Sequence, residues 1–289
     1  MKLRSVAEHS QQLGRTDPAR HLLVTMPMNP PSHRPYPPPD NALAPVQISE
    51  NDGIRFLHLG GTAVQSAMRL SAPHQLELEY TRSMMGFLLF KRQAPNIALI
   101  GLGGGSLAKF IHRHLPASRI AAVEIHPEVI AAARTWFELP TDDERLRVIA
   151  GDGVDFVRDH PDSQDVLLVD GYDAERVVDA LVTPAFYQAC HAMLRPGGVG
   201  VFNLWGSDPD YPLSFSHLAQ AFGGHAMQLP SETKGNIIVF AFRTPFPDAT
   251  FAYLSGRADR LQADIGLEFD DFLVRMGYCN QCSEDGFLV

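Results

Sequence analysis

The sequence predicts an α/β protein built on an open, mostly parallel sheet, and three observations carry that prediction. Apolar strands at 97–101, 119–124, 146–150, 165–169 and 198–204 alternate with helical patterns near 106–114, 127–137, 153–160, 183–194 and 214–223, which specifies parallel strands joined by right-handed crossovers. The last two strands, 226–229 and 236–242, are joined by Pro230-Ser-Glu-Thr-Lys-Gly235, too short for a crossover helix, so they form a hairpin. The strand ends carry chemistry: a glycine loop at Gly101-Leu-Gly103-Gly-Gly-Ser106, Glu124, Gly151-Asp152-Gly153, and Asp170-Gly-Tyr-Asp173.

Five parallel strands followed by a hairpin give a seven-stranded, Rossmann-like sheet of the methyltransferase type, not the six-stranded dinucleotide fold. Ser106 and Thr183 are expected to cap the helices that follow them, the latter with Pro184 at the first helical position. Four regions are expected. Residues 1–43 form a flexible leader ending in the proline run of 30–39. Residues 44–95 form a small antiparallel β unit, with strands near 46–50, 54–59 and 62–66, plus a linking helix over 76–90. Residues 96–245 form a nucleoside-binding catalytic domain, and residues 246–289 a helical tail packed on the sheet.

Composition bounds the function. With 24 Lys and Arg against 33 Asp and Glu, the chain carries net charge −9, which argues against a nucleic-acid partner and suits a cationic one. No apolar run is long enough to cross a bilayer, and the first 25 residues lack a signal-peptide core, so a cytoplasmic location is expected. Cys190 sits at a helical apolar position. Cys279 and Cys282 have CxxC spacing without a second pair, so they are read as incidental thiols and no metal is expected.

In an open sheet the ligand crevice lies beyond the strands' carboxyl ends, so the glycine loop and the acids should converge. A bare loop brings backbone N–H groups close to a ligand. Glu124, 23 residues beyond Gly101, is placed to take two ribose hydroxyls. Nicotinamide enzymes share that feature, but Gly101-x-Gly103-x-x-Ser106 lacks the third glycine of their fingerprint. Asp152 either accepts from an adenine amine or caps the helix at 153–160. Asp170 and Asp173 either attract an amine, one of them accepting its proton, or serve as a turn cap and a solvated side chain.

These residues resemble the spermidine synthase (polyamine aminopropyltransferase) family. The carriers are the glycine loop, Val123-Glu124-Ile125, Gly151-Asp152-Gly153, Val169-Asp170-x-x-Asp173, Thr183-x-x-Phe186-Tyr187 and Leu194-Arg-Pro-Gly-Gly198. The resemblance implies that Gln65, Gly101, Gly103, Glu124, Asp152 and Gly153 hold the thioadenosine part of decarboxylated S-adenosylmethionine. It implies Asp170 as general base, and Tyr80 with Asp173 on the side of a polyamine such as putrescine. With the N-terminal hairpins, it also suggests a homodimer.

Two departures stand out. The family's glycine loop carries an aspartate where Gly104 stands, an acid that receives the donor's ammonium, and its Tyr-His-Glu appears as Tyr80-Thr81-Arg82. Three readings follow: an aminopropyltransferase, an S-adenosylmethionine-dependent methyltransferase on the same scaffold, or a non-catalytic nucleoside-binding protein.

Overall fold

The computed structural model describes residues 44–172, 178–232 and 235–288; the proposed leader and Asp173 lie outside them. Two sheets are present. Strands β1 (Val46–Asn51), β2 (Ile54–Leu59) and β3 (Ser66–Arg69) form an antiparallel sheet in the order 1-2-3. The β1–β2 turn is tight because Asp52 and Gly53 both take positive φ, 49° and 73°, the twist that a two-residue hairpin needs.

The main sheet contains β4 (Asn96–Ile100), β5 (Arg119–Glu124), β6 (Leu146–Ala150), β7 (Gln164–Val169), β8 (Leu194–Trp205), β9 (Ala226–Pro230) and β10 (Asn236–Phe242). Its order is β6-β5-β4-β7-β8-β10-β9, with β10 antiparallel to both neighbours. The expected seven-stranded, mostly parallel sheet with a terminal hairpin is therefore the observed one.

The central strands read as unbroken apolar runs because both faces are covered. Successive side chains alternate between faces, so Ile97 and Leu99 enter one core and Ala98 and Ile100 the other. Val166 and Leu168 likewise part from Leu167 and Val169. One layer receives α2 (Ser106–His114), the linking segment and the tail helices α7 (Phe251–Ile265) and α8 (Phe269–Gly277). The other receives α4 (Gly153–Asp159), α5 (Pro184–Met193) and α6 (Tyr211–Ala221). Helix α3 (Pro127–Trp136) turns Ala132 toward the small sheet, where Ile48, Leu57, Met68 and Phe137 join it in a third cluster. That packing seats the β2–β3 turn above the glycine loop.

Several local expectations are corrected. The linking helix does not run from 76 to 90. It is α1 (Glu79–Met84) followed by a tighter 3-10 segment, Met85–Leu89. Residues 62–65 lie outside β3, which begins at Ser66, although Gln65 N–H still donates to Leu57 O on β2 at 2.9 Å. Ser106 does not cap α2. Gly105, at φ 75°, takes that place, and the Ser106 hydroxyl instead lies 3.4 Å from Ser66 Oγ. Thr183 does cap α5, its Oγ1 accepting from Phe186 N at 3.2 Å. Replacing Thr183 by Ala removes that acceptor and should cost about 1 kcal/mol. The melting temperature should then drop by about 2–4 °C, as calorimetry can measure.

Candidate active site

Strand β4 pairs with β5 on one side and β7 on the other, so the chain leaves β4 at the point where the sheet's winding reverses. Gly101 N–H donates to Val123 O at 2.9 Å, and Asp170 N–H donates to Ile100 O at 2.8 Å. Between these neighbours Gly101 adopts φ 88°, and a Cβ there would stand 2.1 Å from Asp170 O. No other residue fits that conformation and spacing without displacing β7.

Beyond this junction lies a cavity of about 570 Å³, a size that accommodates a nucleoside-sized ligand. Gln65, Tyr80, Gly101, Gly103, Glu124, Asp152, Gly153 and Asp170 all line it. They come from the β2–β3 turn, α1 and the ends of β4, β5, β6 and β7. The described lining residues include three carboxylates and no Lys, Arg or His. Such a cavity favours a cation and disfavours phosphate.

Each carboxylate is held differently. Glu124, 9% exposed, accepts from Leu102 N through Oε2 and from His126 N through Oε1, both at 2.9 Å. It therefore fixes the glycine loop and the start of α3. A carboxylate has about four acceptor positions, so two backbone donors leave capacity for hydroxyl groups. Asp152 caps α4, Oδ1 accepting from Val154 N at 2.7 Å, and it also lines the cavity.

Asp170 receives Asn203 Nδ2 on Oδ1 at 2.8 Å and the Tyr80 hydroxyl on Oδ2 at 3.1 Å. Burial, which outweighs the downward pull of the two donors, together with the nearby Glu124 charge raises its carboxyl to about 6. Burial and the Asp170 charge also push the Tyr80 phenol well above its ordinary value, so Tyr80 remains a donor. A carboxylate with a pKa near neutrality, facing a cavity, is equipped to exchange a proton.

Arg82 does not face this site. It pairs with Glu268 at 2.7 Å and donates to the carbonyls of Leu76 and Glu77. The cation that replaced a family carboxylate is thus neutralised against the C-terminal tail. Cys190 is buried in the core, and Cys279 and Cys282 are exposed free thiols. No cluster of possible metal ligands occurs among the described residues. None of the described helices is long and apolar enough to cross a membrane.

Residues 77–220 match the family model described as the spermine/spermidine synthase domain. A polyamine aminopropyltransferase of Chromobacterium violaceum is 41% identical over 259 residues, covering 90% of this chain and 99% of that protein. The chain belongs to the spermine/spermidine synthase family. By that membership it is a transferase, and its relatives support aminopropyl transfer to an amine. A probable spermidine synthase from Corynebacterium glutamicum shares the fold with TM-score 0.64 and 22% identity, over 79% of this chain and 88% of that one. Human methyltransferase-like protein 13, solved in complex with SAH, aligns with TM-score 0.58 and 27% identity, over 65% of this chain and 93% of that one.

Three polar residues at or near the site escaped the sequence reading. Asn203 and Asn236 line the cavity behind Asp170. The one available signal was an amide near the end of the apolar run Val199-Gly-Val-Phe-Asn203. Lys109, 1% exposed, donates to Phe137 O at 2.5 Å and lies 3.2 Å from Met68 Sδ, tying α2 to α3 and β3. Burial pulls its ammonium down to about 8.

Because Gly101 has no steric freedom, Gly101→Ala should displace the β4–β7 junction. Calorimetric titration with methylthioadenosine should then show at least a roughly tenfold loss of affinity, about 1.4 kcal/mol. Unchanged binding would contradict the expectation that this loop holds a nucleoside.

Proposed function

We propose that the protein transfers an aminopropyl group from decarboxylated S-adenosylmethionine to an amine such as putrescine, with Asp170 as general base. The observation that carries this reading is the cavity itself, with carboxylates of graded character, no opposing cation among its described lining, and a proton acceptor at one end.

Glu124 would accept from the ribose hydroxyls with the capacity its two backbone donors leave. Asp152 would accept from the adenine amine, and Gln65 would approach the donor from above the glycine loop. Asp173, beside the acceptor in the family, belongs to the reading by resemblance. In the reaction the amine lone pair attacks the methylene carbon attached to sulfur. The carbon–sulfur bond breaks with its electrons passing to sulfur, methylthioadenosine leaves neutral, and the proton shed by nitrogen goes to Asp170. Holding the amine in line with that bond supplies much of the rate, and the base has work to do because only an unprotonated amine can attack.

A second reading has a specific observation behind it. At Gly104 a Cβ would meet the Phe137 ring at 2.7 Å and Ser66 Oγ at 2.8 Å. The loop therefore has no room for the aspartate that receives a decarboxylated donor's ammonium in the family. An intact donor, whose own carboxylate would be repelled by that acid, meets no such obstacle here. Together with the likeness to human methyltransferase-like protein 13, this keeps methyl transfer as the alternative. Offering purified protein both donors with putrescine separates the two. Methylthioadenosine from the decarboxylated donor is the expected product, whereas adenosylhomocysteine from the intact donor alone would establish the second reading.

Asp170→Asn should lower kcat by about 10²–10⁴-fold, the range for a lost general base, with methylthioadenosine still bound. In the wild type, kcat/KM should fall as pH drops through about 6 and Asp170 takes up a proton. The same shift bears on stability. A carboxyl raised from 3.8 to about 6 in the folded chain opposes its own ionisation. Its contribution to stability is greatest below 3.8 and is lost as pH rises through about 6. Asp170→Asn should therefore melt above wild type at neutral pH and converge with it in acid, as thermal scans across pH will show.

A further inference from the structure

Behind Asp170, on the side away from the glycine loop, two buried amides form a chain. Asn203, on β8, is 3% exposed and Asn236, opening β10, is 7% exposed. Asn236 Nδ2 donates to Asn203 Oδ1 at 2.9 Å, and Asn203 Nδ2 donates to Asp170 Oδ1 at 2.8 Å. The antiparallel register sets Asn203 opposite Ile238 and Asn236 opposite Trp205. That offset lets the two amides meet diagonally across the strands while both reach the cavity.

An amide presents a donor from one end and an acceptor from the other. Turned over, Asn203 would set its oxygen against the Asp170 carboxylate and its NH₂ against the NH₂ of Asn236. Both neighbours therefore select the same orientation. Asn236 occupies the oxygen end, which obliges Asn203 to offer a donor at the other. The Tyr172 hydroxyl, 3.4 Å from the backbone carbonyl of Asn203, braces the same segment.

We propose that Asn203 and Asn236 are positioning residues that hold the Asp170 carboxylate in its proton-accepting state, Asn236 acting through Asn203. A buried carboxylate with a fixed donor stays ionised at lower pH than one without. The other titratable groups around Asp170 among the described residues are Tyr80 from α1, Glu124 from β5 and Tyr172 just beyond its own strand. Glu124 opposes ionisation, and Tyr80 is the only other donor to the carboxylate among these groups. The amide chain is consequently a principal support for the charged form, reached from two strands the glycine loop never touches.

The kinetic side of this inference rests on Asp170 being the base, while the titration side does not. The test uses the full chain and two readouts: the Asp170 carboxyl ¹³C resonance, identified by its absence in Asp170→Asn and titrated by NMR, and the pH profile of kcat/KM. Asn203→Leu should raise the Asp170 pKa by about one unit, a tenfold gain in proton affinity. Asn236→Leu should raise it in the same direction by a smaller amount, and the double variant should match Asn203→Leu alone, the non-additivity expected of two residues acting in series. Asn203→Ser and Asn236→Ser supply the same comparison should either leucine prevent folding. An unmoved resonance in the Asn236 variants, or additive shifts in the double variant, overturns the proposal. A resonance that moves while the acid limb of kcat/KM stays fixed supports the amide chain and rejects Asp170 as the base.

Discussion

The junction at Gly101 is the constraint on which the site depends. Its N–H is held by β5, the carbonyl just before it by the N–H of Asp170, and its α-carbon lies too close to Asp170 O to carry a side chain. The three strand ends that deliver the loop, Glu124 and Asp170 are therefore fixed relative to one another by backbone hydrogen bonds, without reliance on side-chain packing. Glu124 then closes the arrangement by accepting from Leu102 N. The residue that faces the cavity as an acid is also the one that shapes the loop beside it.

Three carboxylates around one cavity repel one another, and the structure disperses that cost unevenly. Glu124 is satisfied by two backbone donors and Asp152 by a helix N-terminus, where a negative charge is favoured. Asp170 has only two side-chain donors against its burial, and its proton affinity rises accordingly. The same desolvation that disfavours an ionised carboxyl disfavours an ammonium. An amine beside Asp170 and a sulfonium would therefore bind its proton less tightly than in water, while the acid binds it more tightly. On the proposed function the two affinities would converge, which would let a carboxylate serve as base toward a group that in water holds its proton near pH 10, as lysine does.

Much of this was legible in the chain because open parallel sheets concentrate signal at strand ends. An apolar run halted by an acid, as at Val123-Glu124 or Val169-Asp170, has few explanations other than a crevice. The readings that failed lacked such a marker. Alternation through Thr62-Ala-Val-Gln-Ser66 looks the same in a turn as in a strand, and only the seating of β3 against α2 decides it. Ser106 is a good cap by type, yet the left-handed residue ahead of it had already ended the loop. Arg82 stands where the family has a carboxylate, but its partner, Glu268, lies 186 residues away in sequence, and no local pattern announces that pairing. Asn203 and Asn236 were hidden for the opposite reason, since a buried amide within an apolar strand leaves no periodic trace.

The small sheet connects these levels. Its core cluster ends in Phe137, the residue whose ring fills the space beneath Gly104 and whose carbonyl holds Lys109. A side chain at position 104 would have to displace that ring, and with it the contact that seats the β2–β3 turn over the loop. Loss of an acid at 104 is therefore coupled to the packing of a separate sheet. Any side chain there would have to compete for volume with the Phe137 ring and the Ser66 hydroxyl. On the proposed function, donor recognition at this loop and the docking of the N-terminal sheet would be one packing problem.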